Sequence, residues 1–329
     1  MKTEKKKSFR QIAKELGVSP STVSRIAAGE GSYAEDTSKK VQAMLREEGY
    51  AVGPVALSVK GSVAAIVSDL SNEVYSSILS ALSRYLKRKN YLLEIHVESE
   101  NQAELVQHLQ SVRREGLLLI GSPHIPLSLE SSVPAVQVLS SSQVHYRSRL
   151  YSVSSDEYVG GRLAARELLD HGCQSPVILN TRHTDSQDSL RIRGFLDEWQ
   201  AAGLPAERIH IHDGEPFKSS FYSARDIISY LYVRGQAFDS VFACSDWRAF
   251  GALAALKDMN AAVPGQIKVI GCDGTRVSLY CELPFTTVQQ NFDLIASCAV
   301  DLLVPMMEGT VPAKETLTVP VQIQRGLTV

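Results

Sequence analysis

The stretch SFRQIAKELGVSPSTVSRIAAG, residues 8–29, decides how the N-terminal part of this chain folds. Apolar residues recur at helical spacing on both sides of the break at Gly17-Val18-Ser19. Gly17 supplies a tight turn, and Ser19 is placed to cap a second helix that has Pro20 at its first position. Two short helices joined by a glycine turn predict a helix-turn-helix, whose second helix enters the DNA major groove.

The second helix keeps short polar side chains and one guanidinium outside the expected core. These residues form the predicted DNA-binding set: Ser19, Pro20, Ser21, Thr22, Ser24 and Arg25. Arg25 is the best candidate for a bidentate contact to guanine, and Ser21 and Thr22 are adaptable readers beside it. Ser19 and Ser24 are expected to contact phosphates. Any small helical hairpin shares this pattern, so the interpretation depends on the rest of the chain.

The wider run resembles a known family. VSPSTVSRI following QIAKELG is similar to the headpiece of the LacI/GalR family of bacterial transcription repressors, and TSKKVQAMLREEGY at 37–50 resembles that family's third helix. Motifs farther along also fit, so the resemblance covers nearly the whole chain. It implies a DNA-binding headpiece at 1–50, a hinge or linker at 51–62, and an effector-binding and dimerisation domain at 63–329.

The segment at 51–62, AVGPVALSVKGS, separates the headpiece from the remainder. PVALSVK could form about two helical turns, which is marginal for an isolated helix in water. In the resembled family such a hinge folds on the operator and wedges a leucine into the minor groove. Val59 stands at that position here, with Leu57 as the alternative. The family's arginine is absent and the linker is shorter, so a plain flexible linker stays open.

Composition limits the class of protein. The chain has 329 residues, 44% of them hydrophobic and 21% charged, which is typical of a soluble protein of two or three domains. Residues 1–62 hold 11 Lys and Arg against 7 Asp and Glu, whereas the remainder holds 23 against 29. A basic N-terminal domain on an acidic remainder fits a protein that meets phosphate only through its N-terminus. A lysine-rich solvated start explains the first few lysines equally well.

The five cysteines show neither CxxC pairs nor metal-ligand spacing, and the N-terminus does not resemble a signal peptide. We therefore expect reduced thiols in a cytoplasmic protein. No apolar run approaches the roughly 20 residues that a membrane helix needs. Neither a metal nor a cofactor is expected.

From Val63 onwards, apolar runs that are typical of strands alternate with helical patterns. Examples are YLLEIHV (91–97), GLLLIG (116–121), SVFACSD (240–246) and KVIGCDG (268–274), and a helix is predicted over Phe250–Met259. Repeated βα units with continuous apolar strands predict parallel sheets with helices on both faces. Two sets of about 100 residues each predict two doubly wound lobes. The resemblance implies the arrangement of type I periplasmic sugar-binding proteins, with crossovers near 150–160 and 284–292.

Ligands of open α/β sheets bind beyond the carboxyl ends of the strands. There, SDLSNEVY resembles the family's PDLSNPFF, which implies effector contacts by Asp69, Asn72 and Tyr75. RIRGF resembles R-x-x-G-F, which puts Arg191 where the family's guanidinium grips effector oxygens. SSDEYVGG resembles V-D-N-Y-A-G-G, which implies that Asp156 and Gly160 hold the crossover region.

Two further motifs complete the implied effector site. FACSDWRAFGA resembles F-A-x-N-D-x-x-A-x-G-A and implies Asp246, although Ser245 replaces the usual asparagine. VIGCDGT resembles V-x-G-x-D-D-T, which makes Asp273 the ligand-binding carboxylate and leaves Gly274 in place of a second one. An arginine and an aspartate in one cleft suit a polyhydroxylated ligand, because they donate to and accept from neighbouring hydroxyls.

A sugar ring also favours an aromatic platform, for which Tyr75, Phe217 and Trp247 are candidates, although each could equally serve ordinary packing. The missing asparagine and second aspartate suggest a ligand outside the commonest hexoses. A phosphorylated sugar or a nucleobase would also fit an arginine.

The predicted function is a homodimeric, sequence-specific regulator that binds a near-palindromic operator in double-stranded DNA. We expect a repressor under the control of a small polar metabolite, either an inducer or a co-repressor. One alternative is a sugar-binding or sensing protein without operator binding, which would need export. The other is a two-lobed hydrolase or transferase, but the sequence has no G-x-S-x-G elbow, P-loop or H-E-x-x-H motif.

Overall fold

The computed structural model describes residues 6–31, 33–50, 52, 59–98, 107, 115–121, 133–139, 151–180, 189–214 and 218–329. Its backbone divides into two compact units. The first consists of Met1–Ser62 with Lys87–Leu92, and the second of Val63–Leu86 with Leu93–Val329. Most of the segment 51–62, Leu57 included, and also Phe217 lie outside the described residues.

The N-terminal unit contains α1 (Phe9–Leu16), α2 (Pro20–Ala28) and α3 (Glu35–Glu47). Gly17 ends α1 in the left-handed conformation, at φ 66°, which is the tight turn that the sequence predicts. The Ser19 hydroxyl accepts a hydrogen bond from the Thr22 amide at 3.0 Å and so caps α2. Pro20 follows at the first helical position. The turn between α1 and α2 is therefore set by local interactions at Gly17, Ser19 and Pro20.

A single small core holds the three helices together. Its fully buried members come from all three: Ile12, Ala13, Val23, Ile26, Val41 and Leu45. Leu16 and Val18 pack against this core but are only partly buried. Tyr50 ties the chain that precedes α1 to the end of α3, because its hydroxyl donates to the Lys7 carbonyl at 2.8 Å and its ring packs edge-on against Phe9.

In the larger unit, strands and helices alternate, as predicted. The strands are β1 (Gly61–Val67), β2 (Tyr91–Val97), β3 (Gly116–Ile120), β4 (Ala135–Val138), β5 (Tyr151–Ser155), β6 (Pro176–Leu179), β7 (His210–His212), β8 (Ser240–Ala243), β9 (Lys268–Asp273), β10 (Thr286–Gln289), β11 (Thr316–Val319) and β12 (Gln322–Gln324). The helices are α4 (Glu73–Arg88), α5 (Glu157–Asp170), α6 (Leu190–Ala201), α7 (Ser220–Val233), α8 (Asp246–Asp258), α9 (Val277–Tyr280) and α10 (Phe292–Met307).

The described strands form two six-stranded sheets, one for each lobe. Their orders are β11-β5-β4-β3-β1-β2 and β12-β10-β9-β8-β6-β7. In the first sheet, β1, β3, β4, β5 and β11 run parallel. In the second, β6–β10 run parallel and β12 is antiparallel to β10. The predicted class of two doubly wound lobes is confirmed, with an antiparallel edge strand that was not foreseen.

Two glycines bring α5 and α6 into backbone contact. A Cβ on Gly161 would lie 1.9 Å from the carbonyl oxygen of Arg191, and one on Gly194 would lie 2.0 Å from that of Tyr158. Real Cβ atoms do not approach other atoms so closely, so only glycine permits this packing. Its consequence is that the first turns of both helices, which hold Glu157 and Arg191, lie side by side.

Candidate effector site and DNA-binding surface

The outward face of α2 presents the side chains that the sequence assigns to DNA. Ser19, Pro20 and Ser21 are exposed, and Thr22 is partly buried. The Ser19 hydroxyl lies 2.7 Å from that of Ser21 and 2.8 Å from that of Thr22. Ser19 thus has a definite structural task as the cap of α2, whereas its expected phosphate contact stays a prediction.

Arg25 and Ser24 are exposed on the next turn of α2. No described residue forms an ion pair with Arg25, so its guanidinium is available to a base edge or a phosphate. Val59, the expected minor-groove wedge, is 41% exposed.

The centre of the candidate effector site is the guanidinium of Arg191, which is 15% exposed. Its Nε and Nη2 donate to the two carboxylate oxygens of Glu157, with the Nη2 bond at 3.0 Å. Nη2 also donates to Oδ1 of Asp273 at 3.1 Å, and Nη1 donates to the carbonyl oxygen of Cys244 at 2.5 Å. The structure therefore brings together Arg191 and Asp273, the two residues that the R-x-x-G-F and V-x-G-x-D-D-T motifs imply.

Asp273 ends β9 with an unusual backbone, at φ 128°. Such conformations are costly for residues with a Cβ and concentrate at functional sites. Gln290 donates to the same Oδ1 at 2.8 Å and accepts a hydrogen bond from the Ser155 hydroxyl at 2.6 Å. Burial raises the pKa of Asp273 to about 6, although the neighbouring Arg191 favours the charged form.

Asp246 is more deeply buried than Arg191 and Asp273. It is fully buried in the first turn of α8. One carboxylate oxygen accepts from the Thr275 amide at 2.6 Å and the Thr275 hydroxyl at 2.9 Å, and the other accepts from the Thr287 hydroxyl at 2.6 Å. Burial raises the pKa of Asp246 to about 8, and the charge of Asp273 acts in the same direction. In this structure, Asp246 links the residues that follow β8 and β9 to Thr287 of β10. Its side chain is fully buried, and its expected effector contact stays a prediction.

The polar residues that follow β1 are involved in local structure. Asp69 accepts from the amide and hydroxyl of Ser71, at 2.8 and 2.7 Å, in a tight turn. Asn72 accepts from the Val74 amide at 3.0 Å at the start of α4. Tyr75 bonds to Ser68 through its hydroxyl, and burial raises the pKa of this phenol. Asp273, Arg191 and Asp69 all act electrostatically on Tyr75, which places it among the effector-site charges.

Of the three aromatic candidates, Tyr75 and Trp247 lie among the described residues. Trp247 is 43% exposed and packs edge-on against Phe250, with 6.0 Å between ring centroids. Its role as a platform stays a prediction. Beside it, the Ser245 hydroxyl is buried and makes no hydrogen bond to the described residues. Ser245 occupies the place of the asparagine in the resembled pattern.

Sequence reasoning missed two members of the cluster, Glu157 and Gln290. The replacement of asparagine by Glu157 was a usable signal, because a new carboxylate at a site that contains an arginine changes its charge. Gln290 had no such signal. Its contact with Asp273 follows from the pairing of β10 with β9, in which Gln289 lies opposite Asp273.

The described residues contain neither a cluster of metal-ligating side chains nor a helix long and apolar enough to span a membrane. No group of three or more His, Cys, Asp or Glu side chains is arranged to hold a metal ion. None of the helices in this part of the chain combines the length and the apolar character of a membrane-spanning helix.

Two known domain families match parts of this chain. Residues 165–329 match the periplasmic binding protein-like domain, and residues 2–26 match a helix-turn-helix domain. The chain is 28% identical over 336 residues to the sucrose operon repressor of Pediococcus pentosaceus, covering 98% of this chain and 99% of that protein. It is 27% identical over 319 residues to the transcriptional regulator GalS of Salmonella typhimurium, covering 94% and 92%.

The fold is shared with a solved complex of the transcriptional regulator CelR with cellobiose. The TM-score is 0.72 at 23% identity, with 98% of this chain and 100% of that chain covered. The protein is therefore a helix-turn-helix regulator with a periplasmic-binding-protein-like domain. It belongs to the LacI/GalR family, and the relatives named above are transcriptional regulators.

Proposed function

We propose that this chain is a homodimeric repressor that binds a near-palindromic operator and whose affinity for DNA is controlled by a small polar metabolite. In this proposal residues 1–50 form the headpiece, 51–62 the hinge or linker, and 63–329 the effector-binding and dimerisation domain. Leu57 or Val59 would contact the minor groove. The observation that carries the proposal is the capped α2, on which Arg25 is exposed and has no ion-pair partner among the described residues, in a chain that also holds Arg191 and Asp273 together.

The geometry around Asp273 supports control by a ligand. An effector that hydrogen-bonds to Asp273 also acts on Gln290, because Gln290 donates to the same carboxylate. Gln290 in turn holds Ser155, which ends β5. Both residues fall within the crossovers expected at 150–160 and 284–292. In this proposal, one chain of hydrogen bonds therefore links effector contact to the position of the lobes.

The relatives support the chemical class of effector and partner. One relative is named a sucrose operon repressor, and CelR was solved with cellobiose. We extend a sugar-like polyol effector and operator DNA to this chain as part of the proposal. An enzymatic role is not proposed, since the site offers a guanidinium and carboxylates held by one another rather than an activated nucleophile.

Selection of bound sites from random duplex DNA by the purified full-length protein tests the function. Enrichment of a near-palindrome is the expected result, since each headpiece of a dimer reads one half-site. The selection is run with and without a pool of cell metabolites, which separates an inducible repressor from one that needs a co-repressor. Salt-sensitive binding without enrichment in both conditions would overturn the proposal.

A further inference from the structure

The guanidinium of Arg191 is largely occupied by the protein itself. A guanidinium has five N–H donors. With the described residues it makes four N–H···O contacts, two to Glu157, one to Asp273 and one to the Cys244 carbonyl. The paired contact from Nε and Nη2 is the geometry by which an arginine recognises a carboxylate or phosphate. Glu157 therefore fills the place that an anionic ligand group would take.

The charges at this point also disfavour an anion. One guanidinium faces the two carboxylates of Glu157 and Asp273, and Asp69 acts on the adjacent Tyr75. Arg248, the other cation near Cys244, is fully buried and presents no surface to a ligand. Repulsion between like charges is weakly screened in a partly buried site. Among the described residues, a phosphate or carboxylate would thus meet two carboxyl groups beside a guanidinium that they already occupy.

Asp273 offers a hydrogen-bond acceptor to the hydroxyl and amine groups of a ligand. Oδ1 of Asp273 receives hydrogen bonds from Arg191 and Gln290, whereas no described residue donates to Oδ2. That oxygen can accept from a hydroxyl or an ammonium group. The buried Ser245 hydroxyl, which makes no hydrogen bond to the described residues, lies two residues after the end of the neighbouring β8.

We infer that the cleft accepts an uncharged or amine-bearing polyol and excludes phosphorylated and carboxylated ligands, with Glu157 as the residue that sets this preference. The inference rests on the proposed function, because it requires Arg191 and Asp273 to face the effector. The inference also narrows the range of ligands, because the sequence alone allowed a phosphorylated sugar whose phosphate would bind to Arg191.

Inorganic phosphate is the first probe, measured by calorimetric and ³¹P NMR titration of the full-length protein. We expect wild type to show no binding that depends on Arg191. Glu157→Gln and Glu157→Asn free the guanidinium, and each should tighten phosphate binding by about tenfold or more. The gain should vanish in the double variant Glu157→Gln/Arg191→Gln. Glu207→Gln is the matched control, since Glu207 is exposed beyond the far end of α6 and loses the same charge.

Two results would overturn the inference: Arg191-dependent phosphate binding by wild type, or no gain in folded Glu157 variants. Circular dichroism checks the folding of each variant. A second arm compares thermal midpoints with a hexose, its hexosamine, its 6-phosphate and its uronate. Any phosphate or uronate that binds wild type more tightly than its parent sugar would also overturn it. Operator selection with the same preparations, with and without the metabolite pool, separates this outcome from failure of the proposed function, because enrichment of an operator does not depend on phosphate binding.

Discussion

At the scale of single residues, Arg25 gives the most direct prediction about DNA. Arg25→Ala should cost about 1–3 kcal/mol in affinity for the selected operator and relax the preference at one base pair, because a bidentate contact to guanine is lost. Repeating the site selection with the variant measures both effects. Lys14→Ala, which removes an exposed cation from α1, should weaken binding to all DNA sequences by the same factor. If Arg25→Ala also weakened binding to all DNA sequences equally, Arg25 would contact a phosphate instead.

Single residues also show what sequence reasoning could reach at the effector site. The meeting of Arg191 with Asp273 was predictable, since the R-x-x-G-F and V-x-G-x-D-D-T motifs imply that both residues line one cleft. The burial of Asp246 was not, because its position depends on hydrogen bonds from Thr275, just after β9, and from Thr287 in β10. A carboxylate next to a strand end is compatible with both a ligand contact and a structural link. Only the tertiary hydrogen bonds distinguish the two.

At the scale of elements, the start of α3 lacks a cap. Ala34 precedes the helix with an extended backbone and no side-chain hydrogen bond to the first turn. Ala34→Thr should stabilise this turn by about 1 kcal/mol, because the hydroxyl would accept from an otherwise unsatisfied amide. Ala34→Val, which has the same shape without the hydroxyl, should not. Slower hydrogen exchange at the first-turn amides of α3 measures the effect, and equal exchange in both variants would contradict it.

The contact between α5 and α6 gives the second prediction for an element. Gly161→Ala places a methyl group against the Arg191 carbonyl, so the helices must separate, at a cost of about 3 kcal/mol or more. The thermal midpoint of the full chain should fall. Gly265→Ala is the control, because its nearest neighbour would be the Ala262 methyl at an ordinary 3.6 Å. Equal midpoints for the two variants would mean that the helices adjust without loss.

Element boundaries were predictable where one local signal dominates. The run at 91–97 became β2, and the run at 116–121 became β3, which ends one residue earlier at Ile120. The helix α10 begins at Phe292 and ends at Met307, as the apolar spacing predicts. The helix expected over Phe250–Met259 instead begins at Asp246, and β8 ends at Ala243. The error arose because SVFACSD was interpreted as one strand, although its last residues leave the sheet. The side chain of Asp246 then bonds across to Thr287.

At the scale of the whole molecule, alternation of strands and helices predicts two parallel lobes, but not how their edges are completed. β11 joins the first sheet beside β5 and β12 joins the second beside β10, although only two residues separate β11 from β12. Short edge strands of this kind depend on pairing with distant residues. Their own sequences, TLTV and QIQ, carry too little pattern to assign them.

The stability of the whole effector domain should depend on pH through Asp246. In the unfolded chain this carboxyl is ionised throughout the range from pH 6.5 to 8, whereas in the folded protein its pKa is raised to about 8 by burial. The folded state therefore binds more protons, and the free energy of unfolding must decrease as pH rises. The contribution is present in full below the unfolded pKa and is lost as pH rises through about 8.

Asp246→Asn removes this titration and keeps an oxygen for the Thr275 amide. Between pH 6.5 and 8, wild type should lose on the order of 1 kcal/mol more stability than the variant. Calorimetric unfolding at three pH values in this range measures the difference. The range ends at pH 8 because buried thiols such as Cys244, whose pKa is raised to about 12 by burial, add a similar slope above it. Asp69→Asn, at a partly exposed carboxyl, should keep the wild-type slope. Parallel slopes for wild type and Asp246→Asn would show that Asp246 is already ionised in the folded protein, held by its three hydrogen bonds.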